Sequence, residues 1–144
     1  MPDIQQRILE IVRRHHLACL ATITPEGKPW VRYVVCEARD DLSIRFATFT
    51  RSRKVEQIQN NPEVHLTCGA TAPADMKPYL QIQGRAEVHT DQAERHGFWK
   101  DSLKHYFQSP DDPNYGVVVI RPYRIELCTP GSFLPEVWGD VAGP

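Results

Sequence analysis

Long apolar runs are missing from this chain. A membrane-crossing helix needs about 18 or more consecutive apolar residues, so a helical membrane protein is excluded. The cationic-then-apolar layout of a secretory leader is also missing from Met1-Pro2-Asp3-Ile4-Gln5-Gln6, and a cytoplasmic protein is expected. Neither sign of charge is in excess: 17 Lys and Arg stand against 18 Asp and Glu, for a formal net charge of -1. That balance, with no basic stripe interleaved with aromatics, argues against a nucleic-acid binder, so any basic site must be local. Closely spaced cysteines are missing as well. Cys19, Cys36, Cys68 and Cys128 form no C-x-x-C pair and lie in apolar, strand-like contexts, which argues against a zinc site or redox dithiol and for buried thiols. His65, His89, His96 and His105 fall on separate elements with no H-x-x-x-H spacing. Asp111, Asp112 and Asn114 lack the rest of a calcium ligand set, so no metal is expected.

What is present is an ordinary globular composition: 144 residues, 41% hydrophobic and 24% charged. This suits one domain over 1–144, with a Pro/Gly-rich tail from about 129. Ile4, Ile8, Leu9, Ile11 and Val12 recur at helical spacing behind the capping residue Asp3, which predicts a helix over 3–15. Its Arg13-Arg14-His15-His16 end suits the negative pole of a helix dipole. Strand-forming runs at 17–23 and 30–37 are joined by Thr24-Pro25-Glu26-Gly27-Lys28-Pro29, a tight reversal. A second reversal at 38–41 leads into a strand over 42–47, where Leu42, Ile44 and Phe46 alternate.

A helix over 52–59 is stopped by Asn60-Asn61-Pro62, and a strand carrying Val64, Leu66 and Cys68 follows. After a loop over 69–78, a half-buried strand runs over 79–88, and its Gly84 permits a barrel bend. Thr90 caps a helix reaching about Phe107, with Trp99, Leu103, Tyr106 and Phe107 as its core face and Lys100, Asp101 and Lys104 as its solvated face. A final strand over 117–128 is interrupted at Pro122. Strands outnumber helices and several are joined by short reversals. The expected class is therefore α+β, mainly β with peripheral helices, as an antiparallel barrel rather than βαβ units.

The segment that carries chemistry is Phe46-Ala47-Thr48-Phe49-Thr50-Arg51-Ser52-Arg53-Lys54, which leaves a strand and enters a helix with Ser52 at its N-cap. Three cations crowd the positive end of that helix, with no acid before Glu56. As a stabilising device this charge pattern has the wrong sign, and a bound anion would reverse it. Free helix N–H groups, a hydroxyl and cationic side chains are what a phosphate monoester needs. A solvated basic loop with an ordinary Ser cap is the competing reading. Antiparallel pairing about a reversal between Ala38 and Asp41 would set Arg32 opposite a residue between Ala47 and Phe49, adding a further cation.

Arg32 with Tyr33-Val34-Val35, Phe46-x-Thr48-x-x-x-Ser52-Arg53-Lys54, Gln57-Ile58-x-Asn60-Asn61-Pro62-x-Val64 and Gln83-Gly84-Arg85-Ala86-Glu87-Val88 form an ordered set. Taken together it resembles the pyridoxamine 5'-phosphate oxidase-like FMN-binding split barrel, in its general stress protein branch, over most of the chain. The resemblance implies an antiparallel Greek-key split β-barrel holding FMN, its phosphate on Arg32, Ser52, Arg53 and Lys54. Tyr33, Val34, Ala47 and Thr48 would lie along the ribityl chain and ring, and Tyr79 stands where relatives place a ring-contacting glutamine. A homodimer with each flavin between subunits, and a small-molecule substrate or electron donor, are implied too.

The chain also departs from that pattern. Glu37 stands where the oxidase has a lysine for its substrate's phosphate, which argues against vitamin B6 phosphate as substrate. The oxidase's C-terminal Trp and Arg have no evident counterparts, Cys128 falls where the branch often has Trp, and Trp138 reads as an apolar anchor for the tail. No protein acid or base is singled out. An FMN-dependent oxidoreductase and a flavin-binding stress protein without turnover both stay open, as does a haem- or deazaflavin-binding relative sharing the barrel. A haem relative would need an axial histidine, and none follows His105.

Overall fold

A computed structural model describes residues 2–140. Asp3 opens α1 (Ile4–Arg14) through a capping box: its carboxylate accepts from the Gln6 N–H at 2.9 Å, and the Gln6 side chain accepts from the Asp3 N–H at 3.3 Å. The inner face of α1 buries Ile8, Leu9 and Val12 in the main core. β1 (Leu17–Ile23) and β2 (Pro29–Val35) make the expected hairpin, whose turn relies on Gly27 at φ +78°. β3 (Glu37–Ala38) then pairs with β4 (Ile44–Phe49) across a turn in which Leu42 takes φ +69°. Few side chains tolerate that backbone, and here the side chain is 2% exposed in the core, so burial offsets the strain. Leu42 is thus a turn residue rather than the start of a strand.

α2 (Arg53–Asn60), β5 (Glu63–Cys68), β6 (Tyr79–His89), α3 (Gln92–Phe98), β7 (Tyr115–Cys128) and β8 (Glu136–Gly139) follow. The sheet runs β2-β1-β5-β6-β7-β4-β3, every pair antiparallel, with β8 added on β7. β2 and β3 stand at opposite ends of this curled sheet, yet a single residue, Cys36, separates them in sequence. The chain crosses between the two edges there, anchored by the Cys36 N–H donating to the His16 carbonyl at 2.7 Å. Between β2 and β4 no ladder forms among the described residues, and the barrel is left with a slit.

That slit corrects the register expected for Arg32. Its partner is Leu20 on β1, not a residue at 47–49, because only Glu37 and Ala38 continue across to β4. The long strand from Trp30 to Glu37 is two strands, since the buried Cys36 turns inward and redirects the backbone.

Two cores result. Leu20, Phe46, Leu66, Leu80, Ile82 and Ile120 fill the barrel, while Phe98, Phe107, Tyr115, Val117 and Val119 form a smaller core on the outer face of β4 and β7. This second layer explains why Ser43 and Arg45, on the other face of β4 from Ile44 and Phe46, are also buried. The expected helix from Thr90 to Phe107 is instead α3, capped by Asp91, and a 3-10 turn at Asp101–His105. Trp99 takes ψ 137° and breaks the helix, which lets Phe98, Trp99, Leu103 and Phe107 all reach the second core and leaves Tyr106 exposed. Lys100 is not simply solvated: it pairs with Glu37 and lies 4.4 Å from the Phe98 ring centroid.

β7 runs through Pro122 without interruption. The register shifts between Gln83 and Gly84, where Gly84 faces Pro122, so the missing proline N–H falls at a bulge. A Cβ on Gly84 would stand 2.9 Å from Ile120 Cγ2 and 3.0 Å from the Arg121 carbonyl, which is why the bend takes glycine. The tail is partly ordered as β8, whose Trp138 packs against the main core, while Arg7 binds Glu136 through two bonds of 2.5 and 2.8 Å. Residues 141–144 of the expected tail lie outside the described residues. No helix among the described residues is long and apolar enough to cross a membrane.

Candidate functional site

The slit between β2 and β4 opens into a cavity of about 470 Å³, within the range of small-molecule sites. Tyr33, Val34, Ala47, Thr48 and Lys54 line one end of it. Phe98 of α3, Leu103 of the 3-10 turn and Phe107 just after that turn supply an apolar wall.

The start of α2 is built as an unfilled cradle. Ser52 occupies the N-cap but makes no capping bond with its side chain; its hydroxyl lies 3.2 Å from Thr48 Oγ1. Lys54 Nζ donates to that same Thr48 oxygen at 3.1 Å. The N–H groups of Arg53 and Lys54 find no acceptor within the described chain. Asp3 and Asp91, by contrast, both cap their helices.

Arg32 reaches the cradle from β2. Its guanidinium donates to Thr22 Oγ1 at 2.7 Å, to the Trp30 carbonyl at 3.0 Å and to Gln57 Oε1 at 3.1 Å. Thr22 in turn donates to Gln57 Oε1 at 2.5 Å. All these acceptors are neutral, so the head group is held in place with its charge uncompensated. Burial, and then the charge of Arg53, push the Arg32 pKa down. Lys54 is lowered likewise, first by burial and then by Arg32. No carboxylate pairs with Arg32, Arg53 or Lys54 among the described residues, although most other arginines in the chain have one. Arg53 stands outermost, its guanidinium carbon 6.0 Å from the Trp30 ring centroid.

Five of the nine residues singled out in the sequence, Tyr33, Val34, Ala47, Thr48 and Lys54, line one cavity, while Ser52, Arg53 and, through Gln57, Arg32 gather beside it at α2. Tyr79 does not join them: it lines a second cavity of about 640 Å³, beside Leu17, Cys19 and Met76. Tyr33 is the wall common to both cavities. Sequence reading missed the buried Gln57–Thr22 pair that orients Arg32, although an inward amide on a short amphipathic helix was a usable signal. It also missed His16, Lys100 and His105 in the wall of the first cavity, where only the crossing at Cys36 and the break at Trp99 bring them.

Residues 4–129 match the family described as pyridoxamine 5'-phosphate oxidase. The chain belongs to that family. General stress protein 26 of Bacillus subtilis is 32% identical over 133 residues, covering 92% of this chain and 94% of the relative. The crystal structure of General Stress Protein 26 from Bacillus anthracis superposes with a TM-score of 0.79 at 28% identity, covering 94% of this chain and 98% of the other. The pyridoxine/pyridoxamine 5'-phosphate oxidase of Serratia proteamaculans is 29% identical over 101 residues, which is 70% of this chain but 42% of that enzyme. The curled antiparallel sheet with its slit is thus the split barrel of this family, in a form akin to general stress protein 26.

Proposed function

We propose that the chain binds FMN in the slit and works as an oxidoreductase of the pyridoxamine 5'-phosphate oxidase-like family other than the vitamin B6 oxidase itself. The observation that carries the reading is the cradle at α2: cations with lowered pKa values, an uncapped hydroxyl and free N–H groups, all without a carboxylate. A phosphate dianion supplies the missing charge and accepts the unused donors. Arg32, Ser52, Arg53 and Lys54 would hold the phosphate, while Thr48 positions Lys54 and Gln57 positions Arg32. Val34, Ala47 and the Phe98–Phe107 wall would flank the apolar ring and exclude water from it. Bound there, FMN supplies hydride or electron transfer; the chain binds and orients it.

Glu37 opposes a phosphorylated substrate less strongly than its sequence position suggests, because Lys100 pairs with it. The cavity wall thereby carries no net charge from this pair, which gives a B6 phosphate no dedicated cation there.

The second protomer of a homodimer would sit on β2. Among the described residues this edge strand pairs only with β1, and Val31, Tyr33 and Val35 on one of its faces are 63%, 72% and 69% exposed, beside Leu17. A long apolar edge left open is an aggregation hazard that a second copy removes. A soluble cytoplasmic protein is part of the same proposal. The test is the absorption spectrum of freshly purified protein, followed by FMN titration of the stripped protein. Flavin bands and one tight site per chain are expected. A haem spectrum, or no FMN binding, would overturn the reading.

A further inference from the structure

Trp30 is an exposed aromatic that neither core nor the flavin reading accounts for. It is 50% exposed, and the guanidinium carbon of Arg53 stands 6.0 Å from its ring centroid. Side chains alternate along β2, so Trp30 shares its face with Arg32, while Val31, Tyr33 and Val35, the side chains offered to a second protomer, lie on the opposite face. Lys28 extends that alternation, because its carbonyl accepts from the Thr24 N–H at 2.8 Å and continues the ladder with β1. Arg51 is exposed in the turn that leads into Ser52 and Arg53. Neither Lys28 nor Arg51 has an ion pair or a side-chain hydrogen bond among the described residues, and Glu26 and Glu56, the acids nearest in sequence, pair with none of these cations. The positive charge gathered around Trp30 and the start of α2 therefore exceeds what one phosphate uses. A phosphate monoester brings about two negative charges, and Arg32, Arg53 and Lys54 already outnumber them before Lys28 and Arg51 are added. An exposed tryptophan beside free cations is a platform for a nucleobase, which stacks on the ring while its phosphate meets the charge. A single aromatic serves one base, so the surface suits one nucleotide unit rather than a nucleic-acid strand.

We propose that Trp30, with Lys28, Arg51 and the outer edge of Arg53, forms a second subsite that binds the base and phosphate of a purine nucleotide outside the phosphate cradle. A nucleotide held there is the adenylate half of a nicotinamide dinucleotide, so the subsite anchors the electron donor of the bound flavin by its far end. That role rests on the FMN reading, whereas the stacking platform and its charge do not.

The probes are ADP, adenosine and ribose 5-phosphate, titrated into FMN-loaded protein and followed by calorimetry and by quenching of tryptophan fluorescence. We expect saturable ADP binding, with adenosine and ribose 5-phosphate each at least about tenfold weaker, because each keeps one of the two contacts and loses the other. Trp30→Ala should weaken ADP by about tenfold or more and leave FMN affinity within about twofold of wild type. Lys28→Glu and Arg51→Glu, at exposed positions, should each weaken ADP by about fivefold. Phe133→Ser, at a fully exposed aromatic elsewhere, should leave ADP binding unchanged. Absent or unsaturable ADP binding, equal binding of ribose 5-phosphate, or an unchanged ADP affinity in Trp30→Ala overturns the proposal. NADP+ is the unreactive probe of the donor role: competition with ADP and the same loss in Trp30→Ala support it, and NADP+ binding indifferent to Trp30 overturns it. If the stripped protein takes up no FMN, the cofactor reading falls; Trp30-dependent ADP binding to that protein then leaves the subsite standing, and Trp30-independent binding sinks it as well.

Discussion

Replacing Lys54 by Met should move two measured quantities in opposite directions. In the FMN-free protein the ammonium sits near Arg32 with no carboxylate, and burial and that neighbour lower its pKa. Met keeps an apolar stem of similar reach and removes the like-charge contact. Stability of the FMN-free protein to urea should therefore rise by about 0.5 kcal/mol, the scale of a partly screened charge pair. FMN binding should weaken by about 1.5–3 kcal/mol, the worth of one charge-assisted hydrogen bond, or about 10- to 150-fold in Kd. Arg32→Ala should show the same loss of affinity with the other sign of stability. Its guanidinium also donates to Thr22 and Gln57, which are buried, so removing it costs each of them one hydrogen bond, although Thr22 still donates to Gln57, and lowers stability by about 1 kcal/mol. Flavin fluorescence titration reads the first quantity and urea unfolding the second. A Kd within about twofold of wild type in both variants would refute the phosphate assignment. A marked loss of stability in Lys54→Met would instead show that its charge is structurally satisfied.

Ser52→Ala should leave the FMN-free protein as stable as wild type, because the hydroxyl caps nothing, whereas Asp91→Ala should cost about 1 kcal/mol. The same Ser52 variant should bind FMN more weakly, as titration will show. Glu94 is held below the ordinary carboxylate range, chiefly by its hydrogen bonds to Arg45, a side chain 7% exposed. Its contribution is fully present above the unfolded-state value of about 4.3 and is lost as pH falls through the lower folded value. Glu94→Gln should cost about 3 kcal/mol at neutral pH and flatten the acid limb of stability against pH, which urea melts at several pH values will measure. Burial pushes the Cys36 and Cys68 thiols up to about 11 and about 12. A disulfide reagent should therefore label Cys19 and Cys128 first and reach the other two only on unfolding.

What was legible in the sequence followed from local rules. The capping box at Asp3, the Pro/Gly reversal before β2, the glycine bend at Gly84 and the cation-rich start of α2 each depend on residues within a few positions of one another. What escaped depends on tertiary context. The inward turn at Cys36 splits one apparent strand in two, because a curled sheet whose edges stay unpaired needs a crossing there. Arg32 joined the cradle as expected but through Gln57 and Thr22, not through the strand register first inferred for it. The helical spacing of Trp99, Leu103, Tyr106 and Phe107 marked three packing residues and one, Tyr106, that stays exposed, while the helix itself gave way at Trp99 so that more aromatics could reach β4 and β7. Tyr79 was assigned by likeness alone, and in the fold it faces the neighbouring cavity.

The position of the cradle follows from the position of the slit. A closed barrel would pair β2 with β4, and its cations would then face either a filled interior or solvent. Leaving the ladder open costs backbone hydrogen bonds on both strands, and it gathers the uncompensated charges of Arg32, Arg53 and Lys54 beside α2. Neither feature favours the chain on its own. A dianion at the start of α2 reverses the electrostatic cost, and an aromatic ring along Val34 and Ala47 would cover the apolar surface that the missing strand pairing exposes. Occupancy and folding are therefore coupled through one set of residues, so excess FMN should raise the urea midpoint of the wild-type protein far more than that of Lys54→Met. Equal increases would mean that the ligand binds away from the slit.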